Sequence, residues 1–220
     1  MARFARLVIP NYPHHITQRG VRFMDIFAGD QDRFMYLQMM AEEAELSGVT
    51  FLSWCLMTNH VHLIAVPEKE HSLARTIGEA HRRYTRMKNF TEGVRGYLFQ
   101  GRFGSCVLDP QHLLAAGRYV ERNPVAAGMV ESPVDHSWSS ARYNCGVVED
   151  DPLVREQHLP KMVDNWSKFL ETTDEEQDHM ILKKTKTGRP LGRKQFIVDL
   201  EKLTGRELML KSAGRPRIDK

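Results

Sequence analysis

The sequence predicts an α+β fold, an antiparallel β-sheet with helices packed mainly on one face, followed by a helical and basic C-terminal extension. Three observations carry this. Two adjacent runs of strand formers are separated by a short polar break; three segments space their apolar residues helically; and the elements follow in the order β-α-β-β-α-β-α.

HHITQRG, residues 14–20, alternates as a half-buried strand does. Asp30 is placed to cap a helix with the stripe Phe34, Leu37, Ala41, Ala44, and Gly48 is placed to end it. TFLSWCLM (50–57), the break Thr58-Asn59 and HVHLIAV (60–66) then read as a β-hairpin. A second helix over about 72–89 sets Leu73, Ile77, Ala80, Tyr84 and Met87 on one face, so Tyr84 reads as core. GSCVLD (104–109) is a fourth strand, and Asp109-Pro110 is a cap followed by a first-turn proline, which opens a third helix. Pro124 disfavours helical geometry at the residue before it, which predicts that this helix ends at Asn123.

A chain of 220 residues can bury a real core without metal or disulfide staples. Cys55, Cys106 and Cys145 are odd in number and lack metal-ligand spacing, which points to a reduced, cytoplasmic protein and excludes a zinc ribbon. No run approaches the roughly 18 apolar residues of a membrane span, and the N-terminal apolar run is too short for an export signal. Net charge is +3, but it is unevenly spread: residues 1–148 carry +2, residues 149–182 carry −7 and residues 183–220 carry +8. That pattern divides the chain into a main domain (1–148), an acidic helical extension (149–182) and a basic tail (183–220) suited to a polyanion or to solvent.

MTNHVHLIAVP sets His60 and His62 on one face of a strand while Val61 points to the core with Leu63 and Ala65. Two imidazoles at that spacing suit one divalent metal, although such a pair taken alone is as readily structural. In GRYVERNPV, Tyr119 and Asn123 share a helical face with His112, within about 40°, whereas Leu113, Gly117 and Val120 form the buried stripe. Two imidazoles and one amide oxygen with open positions favour Mg²⁺ or Mn²⁺, with Co²⁺, Ni²⁺ and Zn²⁺ able to bind. Glu121 lies about 200° from Tyr119 and reads as a solvated charge.

NHVHLIAVP, FQGRFGSCVLD, YVERNPVAAGMV and HSWSSARY, in that order, resemble the single-tyrosine transposases of the His-hydrophobic-His superfamily, and within them the REP-associated tyrosine transposases. The resemblance runs from about residue 5 to residue 145, and TGRPLG recurs in the family. It implies a ferredoxin- or RRM-like domain with His60, His62 and Asn123 as metal ligands and Tyr119 as nucleophile. Asn123 stands where relatives often carry glutamine, a shorter reach for the same amide oxygen. It further implies cleavage and rejoining of single-stranded DNA beside a REP-type hairpin through a 5′-phosphotyrosine, by a monomer, with a dimer as the alternative. The competing readings are a hairpin-binding protein that does not cut and a metal-dependent nuclease that uses water.

Candidate DNA contacts are His15 and Arg19 on the first strand, Arg75, Arg82 and Arg86 on the second helix, and Arg102. Arg189 and Arg193 in the TGRPLGRK segment and Arg215 in the final Gly-Arg-Pro complete the set, as arginines held out for a groove or stem. Phe99, Phe103 and Trp138 are candidates to stack on unpaired bases or, equally, to join the core.

Overall fold

The computed structural model describes residues 5–209. Its sheet contains β1 (His14–Arg19), β2 (Val49–Leu56), β3 (His60–Pro67) and β4 (Gly104–Val107), in the order β2-β3-β1-β4 and antiparallel throughout. Helices α1 (Asp30–Ser47) and α2 (Ser72–Glu92) connect them, and α3 (Pro110–Ala126) follows β4. Beyond lie the short α4 (Ala141–Asn144) and α5 (Trp166–Glu171), then α6 (Glu175–Thr187) and α7 (Lys194–Thr204). The predicted order and antiparallel sheet are present. Among the described residues, no helix is long and apolar enough to cross a membrane.

The two faces of the sheet bury different sets. Ile16, Trp54, Leu56, Val61, Leu63 and Ala65 pack with α1 and α2 around Tyr36, Met40, Ile77 and Tyr84. The Tyr84 hydroxyl donates to the Ile26 carbonyl at 2.7 Å, so this tyrosine is core, as its position in the stripe predicts. On the opposite face Cys55, Ile64 and Cys106 pack with Ala116 and Val120 of α3, Trp166 of α5 and Ile181 of α6. The helices expected mainly on one face are thus α1 and α2, while α3 and the C-terminal helices cover much of the other.

Four local expectations are corrected. Gly29, not Asp30, is the N-cap of α1, and Asp30 begins the first turn, where the Trp138 indole donates to it. Phe34 is 58% exposed, because the buried side of α1 is centred on Tyr36, Leu37, Met40 and Ala44. Helix α3 does not stop at Asn123 but runs through Pro124 to Ala126, with Ala127 N–H closing on the Asn123 carbonyl at 3.0 Å. Proline removes one N–H and crowds one carbonyl near the helix end, a cost that packing of Pro124 itself offsets. Finally, the compositional boundary at 182/183 falls inside α6. Glu175, Glu176 and Asp178 sit in its first turn and Lys184 and Lys186 in its last, so part of the charge shift is one helix matching its own dipole.

Gly48 ends α1 in the left-handed region at φ 66°, and a Cβ there would meet the Glu68 carboxylate. Gly117 serves a different need: a Cβ would lie 2.8 Å from Leu159 Cδ1 and 3.0 Å from the Trp166 ring, so glycine lets the C-terminal extension close onto α3.

Burial also sets an acid limit. His14 is held down at about 4 and His81 at about 3, chiefly by desolvation. A buried histidine with a lowered pKa contributes stability that is complete above the unfolded value near 6.5 and is lost as pH falls toward the folded value. We expect these two to cost roughly 1 kcal/mol each between pH 7.5 and pH 5.5, read as a falling urea midpoint. A midpoint unchanged over that interval would contradict it.

Candidate active site on the sheet face

His60 and His62 emerge from β3 on the face opposite Val61, with ring centroids 5.0 Å apart. His60 is half-buried and His62 is buried. Asn59, in the hairpin turn, accepts from His60 Nδ1 at 2.7 Å, which orients the ring and leaves its Nε2 toward the cavity. Helix α3 lays Tyr119 edge-on to His62, with centroids 5.3 Å apart, and edge-on to His15 at 5.7 Å. One turn later Asn123 joins them, lining the same cavity as His60, His62 and Tyr119. These four residues line a cavity of about 480 Å³ with Arg19 and Arg102, and α6 adds Leu182 and Lys186 to its wall.

The electrostatics suit neutral imidazoles. Burial, then the charge of Arg19, lowers His60 to about 4. Burial also holds His62 well below the usual histidine range, and His15, His60 and Arg19 push the same way. Tyr119 is raised by burial, against which the Asn123 hydrogen bond and the Arg19 charge favour the phenolate. Both rings therefore offer lone pairs at neutral pH. Among the described residues no three His, Cys, Asp or Glu side chains group as a metal site. A divalent ion would rest on two imidazoles and the Asn123 amide oxygen, with positions left open for substrate oxygen, and this donor set fits.

The other candidates are distributed as follows. His15, expected at DNA, is wholly buried: it borders His62 and cannot reach solvent. Arg19 stacks over the Phe23 ring at the cavity, and Arg102 is exposed at its rim. A larger concavity, about 740 Å³, lies between α2 and residues 93–101 and meets the histidine-pair cavity at Gly101. Arg82 and Arg86 line it, Arg82 being paired with Glu79, while Arg75 is exposed outside its lining. Arg189 is not held out: it donates to the Leu208 carbonyl at 2.7 Å and the Met209 carbonyl at 3.2 Å. Arg193 caps α7, its backbone N–H donating to Asp109 at 2.8 Å while its guanidinium lies 3.7 Å from the same carboxylate. Arg215 lies outside the described residues. Phe99 stacks on His81 at 4.0 Å and Phe103 lies under Arg6 at 3.5 Å; both are buried, and Trp138 is tied to Asp30, so none of the three is a free stacking surface.

Glu121 reverses its expected role. It is fully buried, and Ser53 (3.1 Å), Ser140 (2.6 Å), Asn144 (2.6 Å) and Trp166 (2.7 Å) direct polar hydrogens at its carboxylate. Burial raises its pKa and these bonds oppose the rise. The face of α3 turned away from Tyr119 reads as solvent in the sequence because nothing local shows that the extension folds back over it. HSWSSARY, which supplies Ser140 and is followed directly by Asn144, is the available signal.

Comparison with known proteins follows the same outline. No curated protein matches the chain significantly. A solved structure of a REP-associated tyrosine transposase bound to a REP hairpin superposes with a TM-score of 0.54 at 16% identity, covering 72% of this chain and 93% of that one. At that identity the likeness speaks for the fold. A chain from Deinococcus radiodurans R1 assigned to the transposases overlaps more loosely, with a TM-score of 0.38 at 16% identity over 56% of this chain and 97% of that one, and carries no weight here. Residues 12–123 match the family described as "Transposase IS200 like". Since that match takes in all four strands and extends through Tyr119 to Asn123, about half the sequence, the chain belongs to the IS200-like transposase family.

Proposed function

We propose that this transposase cleaves and rejoins single-stranded DNA beside a hairpin, with Tyr119 as nucleophile and His60, His62 and Asn123 as ligands of Mg²⁺ or Mn²⁺. The observation that carries the reading is the meeting of Tyr119 and Asn123 with the histidine pair in one cavity walled by Arg19 and Arg102. A divalent ion there supplies charge stabilisation at a non-bridging phosphate oxygen. The chain's own residues do the rest. Arg19 and Arg102 hold the phosphate, and Asn123, one helical turn from Tyr119, borders the phenol in the same cavity. The Tyr119 oxygen attacks phosphorus and its proton passes to solvent; the P–O3′ bond breaks and the departing oxygen takes a proton from solvent, leaving a 3′-hydroxyl and a 5′-phosphotyrosine. The ester retains the bond energy, so the reverse step on another 3′-hydroxyl joins strands without ATP.

The hairpin is proposed from the DNA-bound neighbour of like fold. For the unpaired flank, the groove along α2 is the best-suited surface. Phe90 and Tyr97 on its border are each 89% exposed, and Arg86 and Arg95 line it without an ion pair among the described residues. Such rings stack on bases while arginines take phosphates. Replacing Arg86 and Arg95 together by alanine is expected to weaken single-strand binding and reduce the slope of log K against log salt by about 0.7 per lost contact. An unchanged slope would place the DNA elsewhere.

The function is tested by incubating the full chain with labelled hairpin DNA and Mn²⁺ and resolving the products under denaturing conditions. A protein-linked band that EDTA abolishes supports the proposal. Hydrolysed ends without a linked band would favour a water-using nuclease, and hairpin binding without cleavage a non-cutting module; either replaces the proposal.

A further inference from the structure

Behind His62 a chain of buried polar contacts reaches back to α6. His62 Nδ1 lies 3.1 Å from His15 Nε2, and His15 Nδ1 lies 2.6 Å from Thr185 Oγ1. Thr185 Oγ1 in turn lies 2.8 Å from the Ile181 carbonyl oxygen, one turn earlier on the same helix. His15 and Thr185 are wholly buried and His62 is 2% exposed, so water does not compete for these contacts.

Counting hydrogens sets the direction of the chain. A carbonyl oxygen only accepts, so the single hydroxyl hydrogen of Thr185 is donated to Ile181. The Thr185 oxygen then accepts from His15 Nδ1–H. A neutral imidazole carries one N–H, which leaves His15 Nε2 as an acceptor and requires His62 Nδ1–H to donate to it. His62 Nε2 is left with a lone pair. Were the Thr185 hydroxyl turned toward His15 instead, every bond would invert, the contact to Ile181 would be lost, and His62 Nε2 would carry the hydrogen. Cys106 Sγ, 3.2 Å from Thr185 Oγ1, can donate to the remaining lone pair of the threonine in the first arrangement.

We infer that Thr185 is a positioning residue: through His15 it holds His62 in the Nδ1–H tautomer, so that α6 sets how well the histidine pair binds a divalent ion. The inference rests on His60 and His62 being the ligands. It also accounts for two unlike devices with one result, since Asn59 does for His60 locally what Thr185 does for His62 across 123 positions. Supports of this kind behind a ligand histidine are typically worth about 10–100-fold in metal affinity.

The test uses the full chain and three variants: Thr185→Val, which keeps the shape without the hydroxyl, Thr185→Ser, which restores it, and His62→Ala. Long-range ¹H–¹⁵N spectra of the metal-free protein report the His62 tautomer, and Mn²⁺ titration calorimetry reports affinity. Wild type and Thr185→Ser are expected to show His62 as Nδ1–H and to bind alike; Thr185→Val is expected to shift His62 toward Nε2–H and bind Mn²⁺ about 10-fold more weakly or worse. Finding His62 as Nε2–H in the wild type overturns the inference, a result that does not depend on any variant folding. So does a Thr185→Val protein with wild-type tautomer and affinity. A His62→Ala protein that binds Mn²⁺ like wild type instead removes the ligand assignment itself, and is told apart because the tautomer of the wild type is read without metal.

Discussion

Tyr119→Phe is expected to abolish the protein-linked DNA band while hairpin binding and Mn²⁺ affinity stay near wild type. The substitution removes one oxygen. The ring keeps its edge contacts to His62 and His15, and the oxygen lost only borders the cavity it shares with Asn123. The fold therefore persists, and a total loss of adduct is attributable to the missing nucleophile. Background cleavage in the variant, if any, should leave hydrolysed ends. A linked band from Tyr119→Phe would move the chemistry to another residue, and Tyr84 is poorly placed to take it: that hydroxyl is buried on the opposite face of the sheet, donating to Ile26.

The second large effect is on stability. Glu121→Ala strands Ser53, Ser140, Asn144 and the Trp166 indole in a region closed to water. Each buried donor left without a partner costs about 1–3 kcal/mol, so the loss is a large share of the roughly 5–15 kcal/mol that holds a domain together. Glu121→Gln keeps the volume and one carbonyl oxygen but turns an amide hydrogen toward donors, and should cost about 1–3 kcal/mol. Urea unfolding reads both. An alanine variant as stable as wild type would mean that the four donors find other partners. Because Trp166 is one of the four, loosening this network also frees the extension from α3, two residues from the tyrosine.

Much of the frame was legible because it is written in short-range periodicity. A strand alternates its side chains, so His60 and His62 had to share a face and Val61 had to take the other. A helix repeats every 3.6 residues, so Tyr84 fell on the core stripe and Asn123 above Tyr119. Where local rules misled, a competing term was stronger. Pro124 was tolerated because the helix had only one turn left and the ring is buried. The charge boundary at residue 182/183 was partly the dipole of α6.

What lies against the outward side of an element is a different kind of information. Nothing near Glu121 says that Trp166 will cover it, and nothing near His15 says that Thr185, 170 residues on, will meet it. Arg189 reads as a free probe in sequence, yet the fold ties it to carbonyl oxygens near residue 208, whereas Arg193 lies beside Asp109 with its side chain 63% exposed. The sequence alone determined the order of the elements, the histidine face and the pairing of Tyr119 with Asn123, because backbone geometry makes side-chain direction a local property. Only the tertiary structure decided which of the remaining polar groups are buried, since that depends on distant segments whose docking no local pattern encodes.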